Sequence, residues 1–401
     1  MGAFLDHPKI DKTNEFGDGK KVGDSFQYAL SSMQGWRIDM EDAHHIVVSL
    51  KDQLPFKKWS FFAVFDGHAG SKLAREMKDP NACLTEKTKK LVEEGMMKGF
   101  MKLDESMLKL NQERERSGTT AICAILTPDC IFFANLGDSR GVLCRKSCQS
   151  FGTMDHKPYL DKERDRITKA GGSVMIQRVN GSLAVSRALG DFDYKSVPNL
   201  PQNEQLVSPE PDIYVIDRNH TDDEFLVLAC DGIFDVLENE ELCMLIRDRL
   251  RVTPSLGELT NQVLDICLSK GSRDNMTILL VVFDSAPKAD EWAIQLEKQW
   301  SLKVEEEINS IMDSEQGNTT LDAEILSNFL KKKEDELNLP KPGGIHLTRS
   351  LIHRVLENRA SSTSSNTDAT ISDESGPAIN ESGTPTPVAE VDGERGAGEP
   401  S

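Results

Sequence analysis

Between Lys21 and Asp284, short apolar runs alternate with turn residues and a few amphipathic stretches. The runs Trp59–Phe65, Thr120–Leu126, Ile131–Asn135, Gly141–Cys144, Glu224–Cys230 and Met276–Phe283 read as strands. In Phe225-Leu226-Val227-Leu228-Ala229 every position is apolar, not every second one. Such a strand must be covered on both faces, which puts the sheets in the middle of a layered structure. Helical spacing predicts a helix over Lys87–Leu110, with Leu91, Met96, Phe100, Met107 and Leu110 facing the core. A second covers Asp161–Ala170 and stops at Gly171-Gly172. Asn239–Leu250 reads as another, and Ser255-Leu256-Gly257-Glu258 as a capping box opening a helix that runs to Lys270.

The texture changes after Ala286. Trp292, Leu296, Trp300, Val304 and Ile308 recur every four residues, one face of a helix. Leu321, Ile325 and Phe329 suggest a second helix, and Leu351 with Val355 a third. This helical extension, 287–357, is expected to be a packing addition without chemistry, with a regulatory or partner-docking role as the weaker alternative. From 358 to 401 the chain is Ser, Thr, Gly, Pro, Glu and Asp without aromatics, a composition that cannot bury a core and is expected to be disordered.

The 401 residues carry a formal net charge of −19. That excess argues against nucleic acid as a partner and suits divalent cations held through oxygen. Eight cysteines form no C-x-x-C pair, so neither a disulfide framework nor a zinc site is expected, and the compartment is read as reducing and intracellular. No apolar stretch reaches membrane-spanning length.

The informative feature is where the acids sit. Asp66 follows Phe61-Phe62-Ala63-Val64-Phe65 and Asp231 follows Phe225–Cys230, each with Gly next. Asp138 follows Phe132–Gly137, and Asp274 precedes the strand at Met276. A single Asp at a strand end is ordinarily a turn residue. Four of them, on strands whose ends meet at one edge, would repel unless a cation neutralised them. Oxygen-only ligands point to Mg²⁺ or Mn²⁺. Upstream, Gly35-Trp36-Arg37-Ile38-Asp39-Met40-Glu41-Asp42 sets one Arg among acids. It reads equally as a solvated charged turn or as an Arg clamp on phosphate, with Glu41 and Asp42 behind the metal ligands.

Met33-Gln34-Gly35-Trp36-Arg37, Met40-Glu41-Asp42-Ala43-His44 and Val64-Phe65-Asp66-Gly67-His68-Ala69-Gly70 resemble the first signatures of the metal-dependent type-2C Ser/Thr protein phosphatases. Ser117-Gly118-Thr119-Thr120-Ala121, Gly137-Asp138-Ser139-Arg140 and Asp155-His156-Lys157-Pro158 fit the same pattern. So do Leu183–Asp191, Ala229-Cys230-Asp231-Gly232 and Ser272–Thr277. The ordered set spans roughly 21–284, and the start Met1–Asp6 with the helical extension resembles the animal alpha and beta forms. Phe234 stands where the family commonly has Trp.

The resemblance implies an α+β fold: a four-layer α-β-β-α sandwich of two antiparallel sheets flanked by helices, with a C-terminal helical extension. It implies a catalytic domain over 21–286 and hydrolysis of phosphoserine and phosphothreonine by a water or hydroxide bound to two Mn²⁺ or Mg²⁺ ions. Asp66 would bridge the ions. Asp231 and Asp274 would bind one and the Gly67 carbonyl the other, with Glu41 acting through water. Asp138, with Asp231 and Asp235, would form a weaker third site. Arg37 would grip the phosphate, His68 would be the general acid, and Arg178 would lie in the flap beside the site. Phosphoproteins are the expected partners.

Other readings have less support. Cys243 and Arg249 match a Cys-x5-Arg spacing, but inside a predicted helix no backbone N–H is free to cradle phosphate. A phosphoprotein-binding module without turnover and a metal-dependent nuclease or phosphodiesterase are the remaining alternatives. The segment 1–20 carries Gly2, an expected myristoylation site, although Asp6 replaces the usual Ser or Thr. A single acyl chain would give weak, reversible membrane association of a cytoplasmic and nuclear protein. No unpaired helical seam suggests self-association, so a monomer is expected.

Overall fold

The computed structural model describes residues 4–20, 25–52, 56–68, 89–110, 116–147, 150–314, 322–338 and 343–367. The strands run in chain order as β1 (Phe4–Asp18), β2 (Gln27–Arg37), β3 (Ala43–Val47), β4 (Ser60–Phe65) and β5 (Gly67–His68). Then follow β6 (Gly118–Thr119), β7 (Ala121–Leu126), β8 (Cys130–Leu136), β9 (Arg140–Arg145) and β10 (Phe151–Gly152). The last are β11 (Val174–Met175), β12 (Arg178–Val179), β13 (Leu189–Gly190), β14 (Asp212–Asp217), β15 (Asp223–Ala229) and β16 (Met276–Val282). The helices are α1 (Lys89–Leu110), α2 (Asp161–Lys169), α3 (Asp231–Phe234), α4 (Asn239–Val252) and α5 (Leu256–Ser269). Beyond them lie α6 (Glu291–Ser314), α7 (Ala323–Lys332), α8 (Glu334–Leu337) and α9 (Thr348–Thr367).

Two antiparallel sheets form the centre. One has the order β1-β2-β16-β15-β9-β10, the other β14-β8-β7-β4-β3. The alternation along β15 shows why its run is wholly apolar. Leu226 and Leu228 face the other sheet, against Phe62, Ile122 and Phe133. Phe225, Val227 and Ala229 face outward against Leu242 and Ile246 of α4 and Val263 of α5. The outer face of the second sheet, with Phe65, Cys123 and Phe132, is covered by Val92, Met96 and Phe100 of α1. The layers are therefore helix, sheet, sheet, helix, the α-β-β-α sandwich expected.

Several details depart from the periodicity. In α1, Leu91 and Leu110 are exposed, while Val92 and Asp104 take the buried face. In α6, Trp292 and Leu296 are exposed; the helix buries its side chains only at Val304, Ile308 and Ile311, with Trp300 half-buried against the α4–α5 cluster. In α7 the buried pair is Leu326 and Leu330, one position beyond the expected Ile325 and Phe329. Leu321 lies outside the described residues, as do Gly2 and residues 368–401. Helix α9 spans Thr348–Thr367 and buries Leu351 and Val355. The segment expected to precede the domain is the edge strand β1, paired along β2 from Lys12↔Met33 to Asp18↔Gln27.

Candidate active site

Register brings the acids together. Met33 of β2 lies opposite Met276 of β16, and Ala229 of β15 opposite Ile278. The C-terminal ends of β2 and β15 and the start of β16 therefore share one edge of the six-stranded sheet. Arg37 closes β2, Asp231 opens α3 just after β15, and Asp274 stands just before β16. In the five-stranded sheet, Val64 opposite Ile122 and Ala121 opposite Leu136 bring the ends of β4 and β8 to one edge. Asp66 follows the first and Asp138 the second.

The electrostatics record how closely these edges meet. Burial drives the Asp66 carboxyl well above the usual carboxylate range, and the charges of Asp231, Asp42, Asp138 and Asp274 push it further. Burial likewise raises Asp231, with Asp138, Asp274 and Asp235 adding to it. Burial pushes Asp42 up to about 7, although it accepts a hydrogen bond from the Thr277 hydroxyl at 2.6 Å. The buried Oδ1 atoms of Asp231 and Asp42 have no hydrogen-bond partner. Two cations border the cluster. Arg37 Nη2 donates to Asp274 Oδ2 at 2.5 Å, and Lys157 is paired with the buried Asp138. Burial would lower Arg37, but Asp274, Asp66 and Asp231 together hold it above its usual value. One guanidinium edge is spent on Asp274, and a planar fork of five N–H donors leaves others for an anion.

The donor set fits a hard divalent cation. Asp42, Asp66 and Cys230 place ligand atoms within 4.8 Å of one another. The Cys230 thiol is pushed up by burial and by Asp42, Asp66 and Asp231, so it stays protonated. Its sulfur accepts from the Thr277 N–H at 3.1 Å and its S–H points to the Asn275 carbonyl at 3.4 Å. A neutral, engaged thiol is no ligand, and oxygen atoms remain. Crowded, unpaired carboxylate oxygens are the environment such an ion would relieve.

His68 extends from β5, the edge of a small sheet ordered β13-β6-β5. Its Nε2 lies 2.7 Å from Asp191 Oδ2. Burial would lower the imidazole, but the Asp191 hydrogen bond and charge, with Asp138 and Glu41, raise it. Gly67 is buried beside it, and Glu41 is anchored through its N–H to Asn275 Oδ1 at 2.7 Å. Asp235 is exposed, and its carboxyl is raised by partial desolvation and by Asp138 and Asp274, against the opposing charge of Lys157. Arg178 is exposed on the β11–β12 hairpin and donates to the Ser182 carbonyl at 2.7 Å; no described contact ties it to the acidic cluster. The Arg140 guanidinium lies 5.0 Å from the Phe234 ring, so the Phe for Trp replacement leaves the acids untouched.

Sequence reasoning gave no role to Lys157, Asn275 or Asp191. Asn275 donates to the Gln34 and Asp39 carbonyls at 2.9 and 3.0 Å, fastening the loop after β2 to the start of β16. All three fall inside the motifs that carry the resemblance, but neither periodicity nor spacing gives a lone polar residue in a loop a part to play.

A cluster of strand-end carboxylates beside a guanidinium and an imidazole has the constitution of a phosphate-handling hydrolase site. The chain belongs to the protein phosphatase 2C family of serine/threonine phosphatases: residues 26–276 match the family Protein phosphatase 2C. Residues 277–357 match the Protein serine/threonine phosphatase 2C, C-terminal domain. It is 51% identical over 334 residues to Protein phosphatase ppm-1.A of Caenorhabditis elegans, covering 78% of this chain and 70% of that one. With Protein phosphatase 1A of Homo sapiens it shares 44% identity over 388 residues, covering 93% of this chain and 100% of the relative. Among solved structures, a phosphatase from a pathogenic strain of Toxoplasma gondii aligns with a TM-score of 0.59 at 26% identity, covering 69% of this chain and 96% of that one.

Proposed function

We propose that the chain hydrolyses phosphoserine and phosphothreonine side chains of proteins by direct in-line attack of water on phosphorus, with two Mn²⁺ or Mg²⁺ ions as cofactor. The observation that carries this reading is the convergence of Asp66, Asp231, Asp138 and Asp274 from two sheets onto one spot beside Arg37 and His68. Asp66, the Gly67 carbonyl, Asp231 and Asp274 would hold the two ions, with Glu41 one water removed; Asp138 and Asp235 would serve a weaker third. When bound, such ions bring the pKa of water down toward about 7 and offset phosphate charge.

The chain's own groups supply the rest. Arg37 turns its remaining donors to the phosphoryl oxygens, which orients the ester and neutralises charge as it builds. Asp274, bonded to Arg37, fixes the angle of that fork. Ser and Thr alkoxides depart poorly unless protonated, and His68, bonded to Asp191 at 2.7 Å, would supply the proton to that oxygen. Arg178 on its exposed hairpin would meet the protein around the phosphoresidue. Acylation of Gly2, a monomeric state, and cytoplasmic and nuclear residence belong to the same reading; mass spectrometry of the N-terminal peptide tests the first.

The test is phosphate release from a phosphothreonine peptide by protein stripped with chelator, with and without added Mn²⁺. Turnover only with the ion supports the reading. Tight peptide binding without turnover, ion present, would instead make the protein a phosphoprotein-binding module.

A further inference from the structure

Asp191 has a carboxylate built against His68, yet no role so far beyond raising it. It precedes the short 3-10 turn Phe192–Tyr194, where an Asp would ordinarily cap the turn, but it makes no side-chain cap bond. Its Oδ2 instead meets His68 Nε2 at 2.7 Å, with the Asp side chain only 3% exposed. The chain bends sharply to achieve this: Gly190 has φ +77° and Asp191 itself φ +51°, a left-handed conformation unusual for a residue with a Cβ.

The bend is held from three sides. Asp191 N–H donates to the Ser117 carbonyl at 3.0 Å. Gly190 N–H donates to Asp104 Oδ1 at 2.9 Å, from the buried face of α1. Lys195, with 5% of its side chain exposed, clamps Asp104 at 2.7 Å and the Ala188 carbonyl at 2.9 Å. Gly118, between the strands that carry the two groups, completes the arrangement. A Cβ there would lie 2.2 Å from Asp191 Oδ2 and 2.6 Å from His68 Nε2.

We propose that Asp191 is a positioning residue for phosphoester hydrolysis: its carboxylate accepts the Nε2 hydrogen of His68 and fixes the ring, leaving Nδ1 to protonate the departing oxygen. This rests on the reading of His68 as the acid. A carboxylate can only accept, so the hydrogen between the groups belongs to Nε2. In the step, the water oxygen forms its bond to phosphorus as the bond to the Ser or Thr oxygen breaks. The leaving oxygen takes the Nδ1 proton, the water gives a proton to solvent, and solvent later restores the imidazolium. Nε2 keeps its hydrogen on Asp191 throughout.

The experiment compares a phosphothreonine peptide, an alkyl ester, with p-nitrophenyl phosphate, an aryl ester whose leaving group needs no acid. Wild type, His68→Ala, Asp191→Asn and the double variant are assayed with Mn²⁺. Asp191→Asn is expected to slow the peptide about 10–10²-fold, by analogy with losing the outer hydrogen-bond partner of a metal-bound His, and to leave the aryl ester nearly unchanged. The double variant is then no slower on the peptide than His68→Ala. Retained aryl turnover shows the variants are folded. Gly118→Ala, which wedges a methyl between the groups and changes no charge, must show the same selective loss. In the Mg²⁺ enzyme, ¹⁵N-histidine NMR should show a protected Nε2–H in wild type and not in Asp191→Asn. Equal losses on both esters for Asp191→Asn and Gly118→Ala, with His68→Ala selective, overturn this inference alone. Equal losses for His68→Ala overturn the role of His68 and this inference with it.

Discussion

At the residue scale, the site depends on approaches that tolerate no extra atom. A Cβ on Gly232 would stand 2.1 Å from the Asn275 carbonyl oxygen, which is backbone and cannot swing aside. Asp231 and Asp274 each stand one residue before the two ends of that contact, so relief must come by spreading α3 from the start of β16. Gly232→Ala should cost about 1–3 kcal/mol of stability and most of the turnover, read by denaturant unfolding and peptide phosphatase assay. His68→Ala should slow alkyl phosphates about 10²–10⁴-fold, the usual worth of a positioned acid, and aryl phosphates far less. The strand-end acids were legible in the sequence because each follows or precedes a strongly apolar run. Asp191 and Lys157 were visible only as members of matching motifs, because the partners that give them a part, His68 and Asp138, stand 123 and 19 residues away along the chain.

At the element scale, the interior strands announced themselves and the edges did not. Residues of β7, β8, β15 and β16 are buried on both faces and carry long apolar stretches, interrupted only at Asn135, Asp223-Glu224 and Thr277. β1, β3 and β14 are edge strands with half-exposed or charged positions, and their pattern dissolves. β2 is interior, yet Ser31 and Ser32 interrupt it. Ser31 is tolerated because it bonds Asn14 at 2.7 Å and Thr260 at 2.6 Å, neighbours no local reading could supply. The face assignments can be checked: Leu228→Ala should cost about 2–5 kcal/mol, whereas Leu296→Ala on α6 should stay within about 0.5 kcal/mol. Urea unfolding of both variants would separate them, and equal losses would contradict the layering.

Helix α2 supplies a pH prediction at the same scale. Burial alone would raise Glu163, but hydrogen bonds and charge from Arg187, Arg166 and Ser186 bring it from 4.5 down to about 2. A carboxylate depressed in the folded state contributes stability that is complete above about 4.5 and lost as pH falls toward about 2. That contribution is about 3 kcal/mol. Glu163→Gln should flatten this acid limb of the stability curve and, by leaving Arg187 and Arg166 without their anion, cost about 3–5 kcal/mol at neutral pH. An acid limb as steep as in wild type would contradict the assignment.

At the scale of the whole molecule, two sheets stack so that strand ends from both meet, and the site is a consequence of their registers. Slipping β16 by one residue against β2 would turn its core side chains outward and carry Asp274 away from Arg37. The carboxylates that make the site crowd one another, so the folded protein should gain from the ion. Occupancy at about a hundredfold over Kd contributes about 2.7 kcal/mol. Thermal unfolding with increasing Mn²⁺ should therefore show a rising Tm in wild type and a blunted rise in Asp231→Asn.

If the carboxylates at the sheet edges are the metal-dependent catalytic centre, ion binding and catalysis must go together. Mn²⁺ is titrated into stripped protein while bound ion and phosphate release from a phosphothreonine peptide are followed together. Occupancy and turnover are predicted to rise with one midpoint, and both should vanish in Asp66→Ala and Asp231→Ala. Turnover that persists in excess chelator, or survives in Asp231→Ala, would contradict it.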